Sequence, residues 1–332
     1  PTLLTLPLEI RHLIYEALFS TYIIHHGFPS PVPPPFPSSR SNIVLAQNRT
    51  ALLRTNHQLH TEATPFLPVQ AALHFRHTES LLTTLLPLPQ PTLTRLRHLR
   101  VTGFPFPLYG DGKTEFYTAY SFCNALSLLP GLCLERLVVE DAFHRFGLGE
   151  GWRDLATYFE IENLMECEGW RVCEFVVSGT GFLTGLGGGG RRRRRSQPEN
   201  WDRLLKERDG NESGAGVEMF ICPGKKVGPD GKGVDGEGEM RPWSSRPGTE
   251  LLDEGVLDPQ TDIEGEVHVI ARRGRRVSCA VTGLREVTTW KEMKEKGIKK
   301  NDWKPYHNDM EDAVGWIYGG WGRRMQLALS AL

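Results

Sequence analysis

No excess of charge of either sign marks this sequence. Its 332 residues include 39 lysines and arginines against 40 aspartates and glutamates, which gives a net charge of −1. Such a chain lacks the overall positive field that attracts nucleic acids and anionic membranes. It also lacks an apolar run of the roughly 20 residues that cross a bilayer. These absences argue against nucleic acid and membrane partners, and any polyanion binding would have to come from a local patch.

Cysteine spacings typical of metal sites or disulfide frameworks are also missing. The six cysteines, at positions 123, 133, 167, 173, 222 and 279, form no C-x-x-C pair. Cys133 and Cys173 lie in apolar, strand-like runs, where a free cysteine behaves as a small hydrophobic residue. We therefore expect a reduced protein inside the cell, in the cytoplasm or the nucleus.

Motifs for catalysis and cofactor binding are incomplete. Residues 185–190 match G-x-G-x-x-G, but arginines follow them instead of the helix that a dinucleotide-binding fingerprint requires. The H-x-x-H pairs His57/His60 and His74/His77 lack a third metal ligand and a positioned base. We read these histidines as surface or half-buried residues. The sequence predicts a protein that is not an enzyme and has no catalytic residue, cofactor or metal.

Two short segments with helical apolar spacing lie within residues 1–70. Pro7 suits the start of a helix, where its missing N–H breaks no hydrogen bond, and Glu9 suits the positive end of the helix dipole. The apolar stripe of this first helix consists of Ile10, Leu13, Ile14, Ala17 and Leu18. The second segment has a comparable face, formed by Leu52, Leu59, Ala63 and Phe66. Helices this short must pack on each other, on the rest of the chain or on a partner.

These segments resemble the F-box-like module at the start of many fungal proteins of unassigned function. The matching residues are Leu6, Pro7, Glu9, Ile10, Ile14, Tyr15, Leu53, Asn56, Gln58, Leu59, Glu62 and Ala63. The resemblance implies that the first helix docks on the Skp-type adaptor of a cullin–RING ubiquitin ligase. The adaptor contacts that it implies are Leu6, Pro7, Ile10, Ile14 and Tyr15. A proline-rich insertion at residues 28–39, which an F-box does not normally contain, separates the two helices.

A loose repeat occupies residues 71–184. Its apolar-x-x-apolar-x-valine pattern occurs, at intervals of 38 residues, at Leu96/Leu99/Val101, Leu134/Leu137/Val139 and Val172/Phe175/Val177. A weaker fourth copy is Val217/Phe220/Cys222. Each copy predicts a strand, and helices are predicted before the first three, at 79–86, 116–129 and 152–168, with an additional first strand at 71–76.

Strands and helices that alternate at a fixed period indicate stacked units with one shared core. They resemble the irregular leucine-rich repeats that often follow an F-box. Right-handed crossovers would then place the strands side by side and parallel, with the helices on one face. An α/β layer without a true repeat is the alternative.

The composition changes at residues 185–264, where glycine, proline and charged residues dominate. Their low apolar content cannot offset the entropy lost on ordering, so we predict a flexible insertion with an ordered piece within 201–222. One run in this segment, Arg191, Arg192, Arg193, Arg194 and Arg195, is a candidate nuclear-import or polyanion patch, with a solvated linker as the alternative. Residues 265–332 are predicted to complete the same domain. They contain a β-hairpin of 266–272 and 275–282 at the sheet edge and helices at 290–300 and 309–332.

The predicted fold is therefore α/β, with a helical head followed by a mostly parallel sheet and helices packed on it. The predicted function is protein–protein interaction as a substrate receptor or adaptor of a cullin–RING ligase, with loops at the sheet edge holding an unknown client protein. The alternative is a structural or regulatory binding module without a ligase link, whose two head helices are buried against the body. The first function requires part of the first helix's apolar stripe to remain exposed.

Overall fold

The structure is a computed structural model, and parts of the chain lie outside its described residues. It describes residues 3–26, 51–103, 107–110, 113–116, 122–141, 150–178, 184–186, 192–194, 197–222, 240–242, 266–285 and 287–292. The predicted proline-rich insertion at 28–39, the helix at 309–332 and most of the helix at 290–300 fall outside these residues.

The helices divide into a head group and a body group. The head contains α1 (Leu8–Ser20), α2 (Ala51–Thr55), α3 (His57–Ala63) and α4 (Leu67–Gln70), with 3-10 turns at Leu3–Thr5 and Thr64–Phe66. The body contains α5 (Thr78–Leu85), α6 (Gln90–Leu93), α7 (Cys123–Ser127), α8 (Glu150–Glu166) and α9 (Glu199–Asp209). Of the helix predicted over 116–129, the structure describes α7, while Phe116 ends a strand and residues 117–121 lie outside the described residues.

The first strand lies within the head, directly after α1, and the others follow the head. In chain order they are β1 (Ile23–His26), β2 (Ala72–Phe75), β3 (His98–Gly103), β4 (Pro107–Gly110), β5 (Lys113–Phe116), β6 (Leu134–Asp141), β7 (Trp170–Ser178), β8 (Thr184–Leu186), β9 (Arg192–Arg194), β10 (Gly216–Cys222), β11 (Arg241–Pro242) and β12 (Glu266–Arg272). The main sheet has eight strands in the order β1-β2-β3-β6-β7-β12-β10-β11. The first five run parallel, and the last three are antiparallel to their neighbours. The predicted α/β class with a mostly parallel sheet is confirmed.

The register of the parallel strands follows the predicted repeat only in part. Leu99 pairs with Leu137, 38 positions later, as the pattern predicts. Leu137 instead pairs with Cys173, 36 positions later, so the third copy is displaced by two residues. A displacement of two leaves each side chain on its original face of the sheet, so the burial pattern survives. The fourth copy does not continue the series, because β10 runs antiparallel to β12.

Helices cover one face of the sheet, and the two layers share a large core. Leu99, Val101, Leu137 and Val139 lie on this face and are at most 2% exposed. The helices contribute buried apolar residues that include Leu81, Leu82, Leu85, Ala125, Leu126, Tyr158, Ile161, Trp201 and Leu205. A smaller, separate core lies in the head and consists of Tyr15, Phe19, Leu59 and Ala63.

Residues 197–222 are part of the body's core. They form α9 and β10, at the positions where the sequence predicts an ordered piece within the insertion. Trp201 is fully buried, and the Asn200 amide on the same helix donates to the Tyr158 hydroxyl at 2.8 Å. The Asp202 carboxylate accepts from the backbone N–H of Val217 at 2.8 Å, which joins α9 to β10. Contacts with α8 and the sheet therefore hold this segment in place.

The predicted hairpin of 266–272 and 275–282 is wrong. β12 is not at the sheet edge but lies between β7 and β10, and residues 275–282 form no strand. The chain leaves the sheet at Arg273, because its guanidinium donates to the Asp209 carboxylate at 2.7 Å and Gly274 N donates to the same group at 2.7 Å.

The expectation that all cysteines are reduced is also wrong. Cys133, at the start of β6, forms a disulfide with Cys279, which lies 146 positions later in the chain. Cys123, Cys167, Cys173 and Cys222 form no disulfide. The partner of Cys133 could not be identified from sequence, because tertiary folding alone brings two such distant positions together.

The sequence contains no apolar run long enough to cross a bilayer. Among the helices that the structure describes, none is long and apolar enough to do so.

Trp201→Ala tests whether α9 belongs to the core. We expect it to lower the free energy of unfolding by about 3–5 kcal/mol, because it removes a large, fully buried side chain. Arg203→Ala on the exposed side of α9 is the matched control and should change it by less than about 1 kcal/mol. Urea unfolding followed by circular dichroism measures both. An unchanged unfolding midpoint for Trp201→Ala would contradict the placement of α9.

Candidate partner-docking surface

One side of α1 packs into the head. Its buried residues, Arg11, Tyr15 and Phe19, recur every fourth position and therefore share one side of the helix. Tyr15 and Phe19 pack with Leu59 and Ala63 of α3 in the small core. The inward side of α1 thus combines two aromatic side chains with one cation.

The opposite side of α1 carries apolar side chains that remain exposed. Ile10 is 44% exposed, Leu13 is 60% exposed and Ile14 is 37% exposed, and the exposed Ala17 extends the series by one turn. We call these four residues the α1 row. A contiguous exposed apolar surface of this kind indicates an interaction site, whereas apolar residues scattered singly do not. The stripe predicted from sequence is therefore largely the outward side of α1.

An ion pair fixes the inward side of α1 against α3. The guanidinium of Arg11 donates to the two carboxylate oxygens of Glu62 through Nε and Nη2, both at 2.8 Å. The Glu62 carboxylate also accepts from the Tyr15 hydroxyl at 3.0 Å and from the Gln58 amide at 2.8 Å. Two parallel bonds between planar groups restrict orientation as well as distance. The network therefore fixes the rotation of α1, and with it the direction in which the α1 row faces.

The same network changes the titration of Glu62. The hydrogen bond from Arg11, followed by that from Gln58, lowers the pKa of the Glu62 carboxyl to about 2. The Glu62 carboxyl is consequently ionised at neutral pH, as its bonds to Arg11 require.

The predicted adaptor contacts divide into exposed and buried positions. Pro7, Ile10 and Ile14 are exposed and Leu6 is half-buried. Tyr15 is fully buried, so it cannot contact a partner and its assignment is wrong. Its hydroxyl binds Glu62 and its ring lies 5.9 Å from that of Phe66.

The predicted contacts omitted Leu13, which is the most exposed residue of the α1 row. It lies three positions after Ile10, so helical spacing places the two on the same side. The signal was present in the sequence, but the family pattern does not include this position.

The face of the sheet opposite the helices carries ionic pairs between neighbouring strands. Arg100 on β3 pairs with Glu140 on β6. Arg136 on β6 donates to Glu174 on β7 at 2.5 Å, and Nδ1 of His268 on β12 lies 2.7 Å from the same carboxylate. These residues alternate along their strands with those of the core. The pairs therefore link the parallel strands to the antiparallel ones.

The charges of the His268–Glu174 pair stabilise each other. Burial by itself would lower the pKa of His268, but its hydrogen bonds to Glu174 and Glu266 outweigh burial and raise the pKa to about 9. Burial would raise the pKa of Glu174, but bonds from His268 and Arg136 lower it to about 2. At neutral pH the pair is an imidazolium and a carboxylate.

The histidines considered as metal ligands lie on three different elements of the fold. His57 and His60 are exposed on α3, and His74 is buried in β2. His77 caps α5, where its Nδ1 accepts from the backbone N–H of Ser80 at 3.1 Å. Among the described residues, no group of three or more histidines, cysteines and carboxylates could hold a metal ion.

The other predicted sites are described only in part. Arg192, Arg193 and Arg194 form β9, which pairs antiparallel with β8, and Arg191 and Arg195 lie outside the described residues. The import or polyanion patch stays a prediction. Most of the loops that follow the parallel strands, which were predicted to hold a client, also lie outside them.

Comparison with family models, with curated proteins and with solved structures finds no match for this chain. The F-box-like resemblance therefore remains an expectation that rests on residues of the head. The argument for a function has to come from the geometry of α1.

Glu62→Gln tests the ionic support of α1. The folded-state pKa lies below the ordinary 4.5, so the ionised carboxylate's contribution is complete above pH 4.5 and is lost as the pH falls through about 2. We expect Glu62→Gln to melt at a lower temperature than the wild type at pH 6. The gap should shrink steadily as the pH falls toward 2. Thermal unfolding followed by circular dichroism measures it, and a gap that does not depend on pH would contradict this prediction.

His268→Gln tests the pair on the sheet. The folded-state pKa is raised from 6.5 to about 9, so the stabilisation is complete below pH 6.5 and is lost as the pH rises through about 9. We expect the wild type to lose up to about 3 kcal/mol of unfolding free energy across this range relative to His268→Gln. Urea titrations at pH 6, 7.5 and 9 measure this difference. His57→Gln, at an exposed position, should show the pH profile of the wild type.

Proposed function

We propose that this protein is a non-enzymatic interaction protein whose head docks on the Skp-type adaptor of a cullin–RING ubiquitin ligase. The α1 row forms the contact, with Pro7 and Leu6 at its N-terminal end. The body holds a client protein through loops at the edge of its sheet. The observation that carries the proposal is the exposure of Ile10, Leu13 and Ile14 on a helix whose other side is anchored.

Burial of the α1 row supplies the driving force for docking. Covering an aliphatic side chain of the size of leucine or isoleucine contributes about 1.5–3 kcal/mol when it is complete. Ile10, Leu13 and Ile14 are each more than a third exposed, so a partner can cover much of their surface. An amphipathic helix that places such residues in a groove is a common mode of recognition between proteins.

The anchored side of α1 makes this docking less costly. A helix that has to order or rotate on binding loses conformational entropy, which subtracts from the affinity. The Arg11–Glu62 ion pair and the burial of Phe19 already fix the position of α1. Little rearrangement of the head is then required when the partner binds.

The alternative function places both head helices against the body. Pro7 and Ile10 are exposed, and the head has a core of its own, separate from that of the body. These observations favour an outward-facing first helix and therefore support the proposed docking over the alternative.

Ile10→Asp/Leu13→Asp tests the docking. We expect the Skp-type adaptor to co-purify with the wild type and its recovery to fall at least tenfold with the double variant, because each 1.4 kcal/mol of lost binding energy is about tenfold in affinity. Both positions are exposed, so the variant should keep the circular dichroism spectrum of the wild type.

Two controls separate docking from folding. Leu284→Asp replaces an apolar residue that is 89% exposed and lies outside the head, so adaptor recovery should match that of the wild type. Tyr15→Phe removes one buried hydroxyl but keeps both bonds between Arg11 and Glu62, so it should also leave docking intact. Equal recovery from the wild type and the double variant, or no recovery from either, would refute the proposal.

A further inference from the structure

After β12 the chain crosses the edge of the body at which the parallel strands begin. We call this segment, residues 273–285 and 287–292, the strap. It meets the α9–β10 turn first, then the starts of β7 and β6, and finally α5. It therefore meets these four elements of the body in the reverse of their order in the chain. One short segment contacts all of them.

The first end of the strap is anchored by charge. Nε of Arg273 donates to both oxygens of Asp209, at 3.0 and 2.7 Å, and the side chains of this pair are almost fully buried. Arg273 N also donates to the backbone carbonyl of Arg171 at 2.9 Å, and Arg275 N donates to that of Ser213 at 3.1 Å. These contacts hold the point at which the strap leaves the sheet.

The middle of the strap lies against the starts of two parallel strands. Gly169 N donates to the Cys279 carbonyl at 2.7 Å, and Gly131 N donates to the Val281 carbonyl at 2.8 Å. Gly169 has a φ of +105°, and a Cβ placed there would lie 3.0 Å from the Val281 side chain. A glycine is therefore needed where the strap approaches β7. The Cys133–Cys279 disulfide lies at the centre of these contacts.

The far end of the strap reaches the first helix of the body. Nη1 of Arg285 donates to the carbonyl of Leu88 at 2.7 Å. Nε1 of Trp290 donates to the carboxylate of Glu79 on α5 at 2.9 Å. The strap thus extends from β12 to α5. Between these ends lies the one disulfide that cross-links it to the body among the described residues.

We propose that the Cys133–Cys279 disulfide is a reversible redox lock, which fastens the strap when it is formed and loosens it when a cellular dithiol reduces it. This proposal does not depend on the proposed docking of α1. The exchange partner is a small dithiol or a thioredoxin-type protein for reduction, and glutathione disulfide for oxidation.

Reduction follows ordinary thiol–disulfide exchange. A thiolate of the dithiol attacks Sγ of Cys133, which is half-buried, and the Cys133–Cys279 bond breaks with Cys279 leaving as a thiolate. The second thiol of the dithiol then displaces Cys133 and closes the dithiol's own disulfide. Two electrons pass from the dithiol to the protein, and Cys133 and Cys279 each end with one proton.

The bond is a lock and not a condition for folding, because the body is held together by other contacts. The strap contributes only Val281 and Val287 to the buried residues of the large core, and the rest come from the helices, strands and turns of the body. We therefore expect reduction to loosen the strap while the sheet stays folded.

The other cysteines near the strap do not compete for this exchange. Burial raises the pKa of the Cys167 thiol to about 12 and raises that of Cys173 further still. Only the thiolate attacks a disulfide, so these two thiols are poor exchange partners at neutral pH. Neither of these two thiols therefore competes with the external dithiol for the Cys133–Cys279 bond.

Hydrogen exchange of the full chain, read by mass spectrometry, tests the lock. The wild type is compared after treatment with glutathione disulfide and after treatment with dithiothreitol, and a non-reducing peptide map reports the bond. We expect a peptide crosslinked through Cys133 and Cys279 in the oxidised sample. We also expect the backbone amides of residues 277–285 and 287–292 to exchange at least tenfold faster after reduction, while those at the centres of β3 and β6 are unchanged.

Variants separate the lock from a general effect of the reductant. Cys133→Ser/Cys279→Ser should show fast exchange in the strap under both treatments. Cys123→Ser, which removes a half-buried thiol of α7 that forms no disulfide, should behave as the wild type. Three results would each overturn the proposal: no crosslinked peptide, equal exchange of the strap in the two redox states, or loss of protection throughout the sheet on reduction.

Discussion

Two-residue alternation along the parallel strands is the constraint on which the body depends. Leu99 on β3, Leu137 on β6 and Cys173 on β7 are neighbours across the sheet, so apolar side chains gather on one face. Helices can bury their own apolar sides only on that face. Arg100 and Glu174 occupy alternate positions and form the ionic links of the other face. A register error of one residue would exchange the two faces and destroy both the core and the ion pairs.

The head reverses the arrangement expected of a small helical unit, because it buries charge and exposes aliphatic side chains. Arg11 can be buried because Glu62 meets it with two bonds, which offset much of the cost of removing both charges from water. Tyr15 fills the inward side and leaves Ile10 and Leu13 outside. The packing of the head therefore leaves outward the apolar side of α1, which is the surface that we propose for docking.

The strap links the turns from which the parallel strands begin. Parallel strands need long crossovers, so the turns that enter them lie far apart in the chain. A segment that crosses the starts of β6 and β7 and ends at α5 ties these turns together. Its disulfide closes a loop of 146 positions in sequence. The edge at which the parallel strands begin is thereby held together.

Local patterns alone predict much of this protein. Apolar periodicity and Pro7 indicate α1, and the alternation around Leu99 and Leu137 indicates parallel strands beneath helices, because these signals arise from backbone geometry within a few residues. Other features depend on contacts between distant positions: the choice of Tyr15 instead of Ile10 for the core of the head, the place of β12 inside the sheet, and the bond between Cys133 and Cys279. The sequence by itself determined the elements whose signals are local, such as α1, β3 and β6. Only the tertiary structure decided which side of each faces inward and which distant residues meet, because burial and pairing are properties of the assembled chain.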